Sequence, residues 1–423
     1  MRVLILGQPS DNRGDEAAAR GMIYGIRSLI PNAIFDIVYC YKDFKPVMDD
    51  PPHVVSHHKR FLMRLTKWNI FIHLWYLLLY RLGIASSAGS DENVLAKLIV
   101  EADAVIYAPQ GPYLGGKSIQ FRPLFFLALV KMYAKKLMIY APSMGPFLDD
   151  NQSFFYSIKL NILKKVLNSV NMITLRDSTS SEFVKKLNLR NKNVFLASDS
   201  ALQNPVDQLD GKKLLQSLCI PGTPNKLIGI TPIELSWHTH WSTVKDIDTT
   251  IAAISAEILD SCIEKYNAHI LFFPQLYGNP GKPFSSDLPV MYNIAHYMKH
   301  KDKFTVVDIH WETEQQQSVM ALMDVFVGYR HHSAVLCAKM KIPCVCISYE
   351  YKAISFMEDI QLSEYALPLE NLRAKTVLRL IDNALNNRAD IVRHLTAISE
   401  KLRKTAFISS EKFAEMVTGT PSC

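Results

Sequence analysis

The sequence predicts an α/β protein made of two Rossmann-like, doubly wound lobes. Short apolar runs alternate with helical periodicity along most of the 423 residues. A segment rich in proline and glycine, residues 204–225, interrupts this alternation near the middle of the chain. The length also suits two domains at roughly 150–200 residues each.

In the first half, strands are predicted where aliphatic residues run without charge, and helices where apolar residues recur every three to four positions. The predicted strands are residues 2–6, 34–40, 104–107, 136–141, 172–175 and 194–197. The predicted helices are residues 15–30, 93–101, 118–134, 152–169 and 177–187. Strands that alternate with helices form a parallel sheet covered on both faces.

After the interruption, the same alternation restarts and predicts a second parallel sheet. Its strands are residues 227–231, 269–273, 305–307, 325–328 and 344–348. Its helices are residues 248–265, 287–299, 313–323 and 333–341, and two further helices, 369–386 and 391–417, finish the chain. Two such sheets joined by a linker leave a cleft in which ligands bind beyond the carboxyl ends of the strands.

Composition and charge narrow the class of protein. Hydrophobic residues make up 48% and charged residues 21%, which indicates a globular chain. A net charge of +7 suits anionic small molecules or a membrane surface and is too small to indicate nucleic-acid binding. The seven cysteines lie mostly in apolar runs, as expected for buried thiols in a reducing compartment. The short apolar run at the N-terminus predicts a buried strand rather than a signal peptide, so we expect a cytoplasmic protein.

One segment bears on the expected cytoplasmic location of the protein. Basic residues and aromatic residues flank an apolar stretch between residues 59 and 85. This stretch is too short to span a bilayer, which takes about 20 residues. Two interpretations remain open: a helix buried against its neighbours, or peripheral contact with the inner face of the membrane.

The loop after the first strand places two carboxylates, Asp15 and Glu16, at the start of a helix. They either stabilise the helix N-terminus or accept a proton from a substrate hydroxyl. The glycine-rich loop at residues 108–117 carries Gln110 and Tyr113. These two side chains either contact a sugar or belong to a purely structural turn.

Cationic and aromatic side chains follow four other strands. Arg176 lies at a strand exit, where it could bind an anion. Trp237 and His238 could line a sugar site; His238 and His240 resemble a metal pair only weakly, and no metal is predicted. The strongest signal is the turn from residue 328 to residue 333, in which a strand ends and a helix begins. Its cationic and histidine residues are Arg330, His331 and His332.

The turn at residues 328–333 combines three features that favour an anion. Arg330 offers a planar pair of donors for a carboxylate or phosphate. The helix N-terminus behind it attracts the same charge. His332 would then donate or accept a proton beside the bound anion. A polar cluster that includes Lys352 follows the next strand and would border the same pocket.

Taken together, these loops resemble the motifs of the polysaccharide pyruvyl transferase family, in the family's order from residue 12 to residue 352. The matching segments are Asn12-Arg-Gly14-Asp15-Glu16-Ala17, Gly111-Pro-Tyr-Leu-Gly115-Gly116, Ser143-Met-Gly145-Pro146, Arg176-Asp177-Ser178, Gly328-Tyr-Arg330-His331-His332 and Tyr349-Glu-Tyr-Lys352. Two positions depart from the family pattern. His331 stands where the family has leucine, and Pro112 and Tyr113 interrupt the glycine run.

The resemblance implies a GT-B-like fold, the arrangement of two-lobed glycosyltransferases. Residues 1–205 would form a lobe that binds the acceptor and residues 206–395 a lobe that binds the donor. Residues 396–423 would form a helix that packs back toward the first lobe. The resemblance also implies that phosphoenolpyruvate donates a pyruvyl group to a sugar of a polysaccharide or a lipid-linked precursor, as a ketal, with release of phosphate.

The resemblance and the chemistry together suggest roles for the candidate residues. Arg330, His331, Arg176 and Lys352 would bind the donor. His332 would act as general acid, and Asp15 or Glu16 would deprotonate a sugar hydroxyl. The acceptor would contact Asn12, Gln110, Tyr113, Trp237 and His238. No cofactor or metal is needed in this scheme, because phosphoenolpyruvate is itself a substrate.

Two alternatives from other classes remain. A glycosyltransferase using a nucleotide sugar would need a carboxylate that binds the ribose, and Glu350 could serve. A non-enzymatic sugar-binding module would show an aromatic cleft without cationic groups for an anion; Arg330, Arg176 and His332 argue against it.

Overall fold

The computed structural model describes residues 1–9, 12–39, 53–57, 75, 91–109, 114–116, 118–147, 155–206, 210–238, 240–278, 286–308 and 310–420. The chain divides into two compact units. The first comprises Met1–Ser10, Ala18–Asn204 and Arg403–Cys423, and the second comprises Asp11–Ala17 and Pro205–Leu402. Apart from Trp75, the segment 59–85 lies outside the described residues.

The first unit contains a parallel sheet with the order β3-β2-β1-β4-β6-β8-β9. Its strands are β1 (Arg2–Gln8), β2 (Ile34–Tyr39), β3 (Val54–His57), β4 (Ala104–Tyr107), β6 (Lys136–Ile139), β8 (Met172–Leu175) and β9 (Val194–Leu196). Two short strands, β5 (Gly115–Gly116) and β7 (Gly145–Pro146), pair separately. The helices that accompany these strands in the described part of the chain are α1 (Arg13–Leu29), α2 (Asp91–Glu101), α3 (Phe121–Met132), α4 (Tyr156–Ser169) and α5 (Ser178–Lys186).

The alternation of side chains along β1 explains why helices cover both faces of this sheet. Val3 and Ile5 pack in one apolar cluster, together with Met22 of α1. Leu4 and Leu6 point the other way, into a second cluster that contains helices α2, α3 and α4. Each face is therefore a separate core.

The second unit contains a parallel sheet with the order β12-β11-β10-β13-β14-β15. Its strands are β10 (Lys226–Thr231), β11 (Ala268–Phe272), β12 (Phe304–Val306), β13 (Val325–Gly328), β14 (Cys344–Ser348) and β15 (Ala366–Pro368). Its helices are α6 (Gly211–Ser217), α7 (Ile247–Tyr266), α8 (Leu288–Tyr297), α9 (Thr313–Met320), α10 (His331–Met340), α11 (Tyr351–Asp359) and α12 (Ala374–Asn386). The last helix, α13 (Arg388–Thr418), begins in this unit.

Both sheets have the strand order of a doubly wound Rossmann-like fold, in which the chain moves outward on one side of the first strand and then on the other. The predicted fold class is confirmed. The sequence analysis missed β3, β15 and α11, and the helix predicted from residue 369 begins at Ala374, since Leu369–Asn371 form a 3-10 turn.

Two further observations bear on the cysteine and membrane predictions. Cys262, Cys337, Cys344 and Cys346 are buried free thiols, whereas Cys219 is exposed. Among the residues that the structure describes, no helix combines the length and the apolar character needed to cross a bilayer.

Candidate active site

The turn between β13 and α10 holds Arg330 in a fixed, buried position. Arg330 is the N-cap residue of α10 and has extended backbone geometry. Its Nη2 donates to Oδ1 of Asp287 at 2.5 Å, and its side chain is only 9% exposed. The other oxygen of Asp287 accepts from the backbone N–H groups of Gln275 and Leu276, at 2.9 and 2.8 Å. Asp287 thus joins the arginine to the segment that follows β11.

Part of the Arg330 guanidinium remains available for a ligand. Its Nε is buried and has no hydrogen-bond partner among the described residues. A buried donor without a partner is costly, typically by about 1–3 kcal/mol. The positive end of the ten-residue helix α10 lies directly after this residue. This combination favours a bound anion.

His331 and His332 form the first turn of α10 and are both buried. Their ring centroids lie 5.2 Å apart, and the His331 ring also packs edge-on against Phe356 at 5.9 Å. Gly14 lies against His332: a Cβ atom built on Gly14 would be 2.2 Å from the imidazole Cγ and Nδ1. The first turn of α1 therefore helps to determine where the His332 ring lies.

Asn12 and Glu16 both stabilise this N-terminal segment. The side chain of Asn12 accepts from the backbone N–H groups of Gly14 and Asp15, at 2.8 and 3.3 Å. Glu16 forms a buried ion pair with Arg13 at 2.7 Å. The guanidinium of Arg13 in turn lies 4.1 Å from the ring centroid of Tyr277. These contacts anchor the segment to the second unit.

The two carboxylates predicted as proton acceptors therefore have different surroundings. Glu16 is 5% exposed, and besides its ion pair it accepts from the backbone N–H of Thr313 at 3.5 Å. Asp15 is half-buried, and its charge contributes to the raised pKa of Tyr349. Asp15 is the better placed of the two to meet a ligand.

Aromatic and charged side chains form a second cluster around Tyr349. The ring of His238 packs edge-on against Trp237 and against Tyr349, each at 5.5 Å. Its Nε2 lies 3.5 Å from Oε1 of Glu350, and Oε2 of the same carboxylate pairs with Lys352 at 2.8 Å. Trp237 is 42% exposed. The cluster thus combines an exposed aromatic ring with buried polar groups.

Electrostatics define the protonation states in this cluster. Burial alone would raise the pKa of Glu350, but Lys352 and His238 outweigh burial and lower it to about 2. Burial raises the pKa of Tyr349 to about 12, and the charge of Glu350 acts in the same direction. At neutral pH, Glu350 is therefore a carboxylate and Tyr349 a neutral phenol. The charge of Arg330 also acts on Tyr349, in the direction that lowers its pKa.

Arg176 belongs to the first unit. Its Nη1 pairs with Asp199 at 2.8 Å, and its Nε donates to the hydroxyl of Ser143 at 2.9 Å. Asp177 caps α5 by accepting from the N–H of Ser180 at 2.7 Å. These bonds join the loops after β6 and β8.

Several predicted residues lie together in the second unit. The structure brings together Asp15, Arg330, His332, His238 and Lys352 in that unit. Gln110 and Tyr113 lie outside the described residues.

Sequence reasoning missed Asp287 and did not foresee that Gly14 contacts His332. An acidic residue at a helix start resembles an ordinary cap, so nothing in the sequence links Asp287 with Arg330. The glycine inside the predicted family motif was the only available signal for the contact with His332.

Comparison with solved structures defines the class of the fold. Sucrose-phosphate synthase from Thermosynechococcus elongatus matches with a TM-score of 0.61 and 11% identity, over 99% of both chains. The Anabaena protein Alr3699/HepE, solved with UDP-glucose, matches with a TM-score of 0.58 and 12% identity, over 99% of this chain and 100% of that one. A putative UDP-N-acetylglucosamine 2-epimerase from Listeria monocytogenes matches with a TM-score of 0.60 and 9% identity, over 96% of this chain and 93% of that one. The fold is that of the GT-B glycosyltransferases.

Sequence comparison then assigns the family. The model of the family described as polysaccharide pyruvyl transferase matches residues 12–351, and the chain belongs to this family. The amylovoran biosynthesis protein AmsJ of Erwinia amylovora is 23% identical over 420 residues, covering 95% of this chain and 96% of that protein. The predicted family is confirmed, and these relationships support a role in pyruvyl transfer for polysaccharide biosynthesis.

Proposed function

We propose that the protein transfers the pyruvyl group of phosphoenolpyruvate to two hydroxyls of a sugar, forming a ketal and releasing phosphate. The sugar belongs to a polysaccharide or to a lipid-linked precursor. The observation that carries this proposal is the buried guanidinium of Arg330, oriented by Asp287 at the start of α10, with an Nε that has no hydrogen-bond partner in the described part of the chain.

The donor has the chemistry that this anion site favours. Phosphoenolpyruvate carries a carboxylate and a phosphate, and a guanidinium binds either group through two parallel hydrogen bonds. Positive charge beside the phosphate stabilises it as it leaves. His331 and Lys352 add donors to the same region. Arg176 stays a proposed second ligand; in the structure its guanidinium bonds Asp199 and Ser143.

The reaction needs both a general acid and a general base. The methylene carbon of the donor takes a proton while a sugar hydroxyl attacks the neighbouring carbon. His332, beside Arg330 at the start of α10, supplies that proton. Asp15 accepts the hydroxyl proton in preference to Glu16, because Glu16 is engaged by Arg13.

The acceptor sugar binds against the indole ring of Trp237. An exposed indole ring next to buried polar groups suits a sugar, which presents an apolar face and a rim of hydroxyls. Asn12 supports the first turn of α1, which carries Asp15. Contacts by Gln110 and Tyr113, and membrane association through residues 59–85, stay predictions from the sequence. The scheme requires no metal or organic cofactor.

One assay tests the proposed function. The protein is incubated with phosphoenolpyruvate and a panel of sugar acceptors, and inorganic phosphate and the mass of the acceptor are followed. We expect phosphate release that depends on the acceptor, together with a ketal on the sugar. Release of a nucleotide from nucleotide sugars, with no reaction of phosphoenolpyruvate, would instead indicate a glycosyltransferase.

The variant His332→Gln tests the proposed acid. The amide keeps much of the volume of the imidazole but cannot transfer a proton, so we expect phosphate release to fall by about 10²–10⁴-fold. Binding of phosphoenolpyruvate, measured by calorimetry, should be retained. Near-normal turnover in this variant would exclude His332 as the acid.

A further inference from the structure

A second imidazole, that of His238, has the surroundings of a proton-transfer group. The residue is only 7% exposed, although it lies in a loop between β10 and α7. Its Nδ1 is buried and has no hydrogen-bond partner among the described residues. Buried side-chain nitrogens normally have a partner, so this atom is an available contact for a ligand.

Glu350 determines which nitrogen of His238 is available. The carboxylate lies 3.5 Å from Nε2, which places the ring proton on that nitrogen and leaves Nδ1 as the acceptor. Glu350 stays ionised because Lys352 pairs with its other oxygen at 2.8 Å. A carboxylate that holds one nitrogen of an imidazole while the other faces a substrate is the arrangement that general-base histidines use.

The aromatic neighbours fix the plane of the imidazole. Trp237 and Tyr349 both contact the ring edge-on, at 5.5 Å. The indole of Trp241 donates to the carbonyl of Tyr349 at 3.3 Å, which joins this loop to the start of α11. The charges of Arg330 and Asp15 both act on Tyr349, so the ring and the proposed donor site share one electrostatic environment.

We infer that His238 is the general base for one of the two acceptor hydroxyls and that Glu350 is its positioning residue. This inference rests on the proposed pyruvyl transfer. A ketal consumes two hydroxyls, so two O–H protons must be removed. His238 serves one hydroxyl, and Asp15 serves the other.

The proton and electron balance is complete with these groups. The O–H proton moves to Nδ1 of His238, and the oxygen electron pair forms the bond to the carbon that carries the phosphate. The methylene carbon takes a proton from His332. When the second hydroxyl attacks, the C–O bond to phosphate breaks and the bonding pair leaves with the phosphate. The two hydroxyl protons account for the two protons that the products gain. One corresponds to the proton on the new methyl group, and the other to the proton on the released phosphate.

Other ionisable groups near His238 must be considered in any pH measurement. Glu350, Lys352 and Tyr349 face it from the start of α11. Glu234 and His240 lie on its own loop. Asp248 of α7 accepts from the backbone N–H groups of Leu235 and Ser236 at 2.6 and 3.1 Å.

The test compares His238→Gln with the wild-type protein and with His240→Gln. A glutamine amide can still reach Glu350 but has no basic nitrogen. His240, an exposed histidine two positions along the chain, is the matched control. Acceptor-dependent phosphate release is measured between about pH 5 and pH 9, the range over which a histidine base titrates.

We expect kcat of His238→Gln to fall by about 10²–10⁴-fold, with loss of the acidic limb of the pH profile and little change in KM for phosphoenolpyruvate. His240→Gln should behave as the wild type. Glu350→Gln should lower kcat by about tenfold with little change in KM for phosphoenolpyruvate, because the ring loses the carboxylate that orients it. A merely structural role of His238 would not remove the acidic limb in His238→Gln.

The outcomes separate the inference from the function on which it rests. If the wild type releases phosphate and His238→Gln keeps its kcat and acidic limb, His238 is not the general base, whereas the proposed pyruvyl transfer stands. If the wild type releases none with any acceptor, both are wrong. Should His238→Gln fail to fold, an unchanged kcat in Glu350→Gln would also overturn the inference.

Discussion

Arg176 and Arg330 have similar local settings in the two units, yet their hydrogen bonds differ. Each arginine follows a strand of a parallel sheet, precedes a helix and pairs with a buried aspartate. Arg176 bonds both Asp199 and Ser143, the latter through its Nε. Arg330 bonds Asp287, and its Nε has no partner in the described part of the molecule. A guanidinium bonded on two sides by the protein joins loops, whereas one bonded on one side can bind a substrate.

The largest effect that this comparison predicts is on stability. Arg176→Met should destabilise the protein by about 3–5 kcal/mol, because it leaves the buried Asp199 carboxylate without its counter-charge. Urea unfolding measures the change. Arg190→Met, which alters an exposed arginine of the same unit, is the control and should change the free energy of unfolding by less than about 0.5 kcal/mol. Equal stability of Arg176→Met and the control would remove the structural role.

Arg330→Met should affect activity more than stability. Asp287 keeps two backbone N–H donors in this variant, whereas Asp199 keeps that of Ala201, so the unfolding cost should be smaller than for Arg176→Met. Loss of the donor contact should lower kcat/KM for phosphoenolpyruvate by about 10²-fold, equivalent to about 2.7 kcal/mol. Steady-state kinetics with varied phosphoenolpyruvate provides the measurement. An unchanged kcat/KM would show that the open guanidinium does not bind the donor.

Gly14→Ala tests how tightly His332 is positioned beside Arg330. The new methyl group would overlap the imidazole, so we expect the ring to move and turnover to fall by about tenfold. Without that overlap, alanine would favour the helix by about 1 kcal/mol.

The double variant Gly14→Ala with His332→Gln is the control for this effect. If the methyl group acts through the ring, the double variant should be no slower than His332→Gln alone. Full turnover in Gly14→Ala would mean that the ring position is not critical.

The smallest effect concerns the partly buried ion pair of Glu350 and Lys352. The folded-state pKa of Glu350, about 2, lies below the ordinary value of 4.5, so its charge stabilises the fold above about pH 4.5. That contribution is lost as the pH falls toward 2. Glu350→Gln should therefore be about 1 kcal/mol less stable at neutral pH, and the difference should shrink in acid. A difference that is independent of pH in urea unfolding would contradict this expectation.

Most of the fold could be predicted because buried parallel strands are uninterrupted apolar runs. The elements that were missed lack this signal. β3 has four residues and ends in Ser56-His57, and β15 is a three-residue strand that ends in Pro368. Their place in the sheets comes from pairing with neighbouring strands, which local sequence does not encode.

The candidate site was predictable where chemistry and chain position coincide, as in Arg330 and His332. Pairings between distant residues were not predictable. Asp287 lies 43 positions from Arg330, and only the fold brings them together. In the structure, Asn12 and Glu16 stabilise their own segment, a role that the same residue types also fill. Their predicted contacts with substrate stay predictions.

Because Asp11–Ala17 is grouped with the second unit, that unit is discontinuous in the chain. A fragment of residues 205–402 would lack the glycine that contacts His332 and the half-buried carboxylate of Asp15. Exchanging second lobes between relatives would therefore require transplanting this N-terminal heptapeptide as well. A chimera joined only at the central linker would combine the imidazole of one parent with the N-terminal heptapeptide of the other.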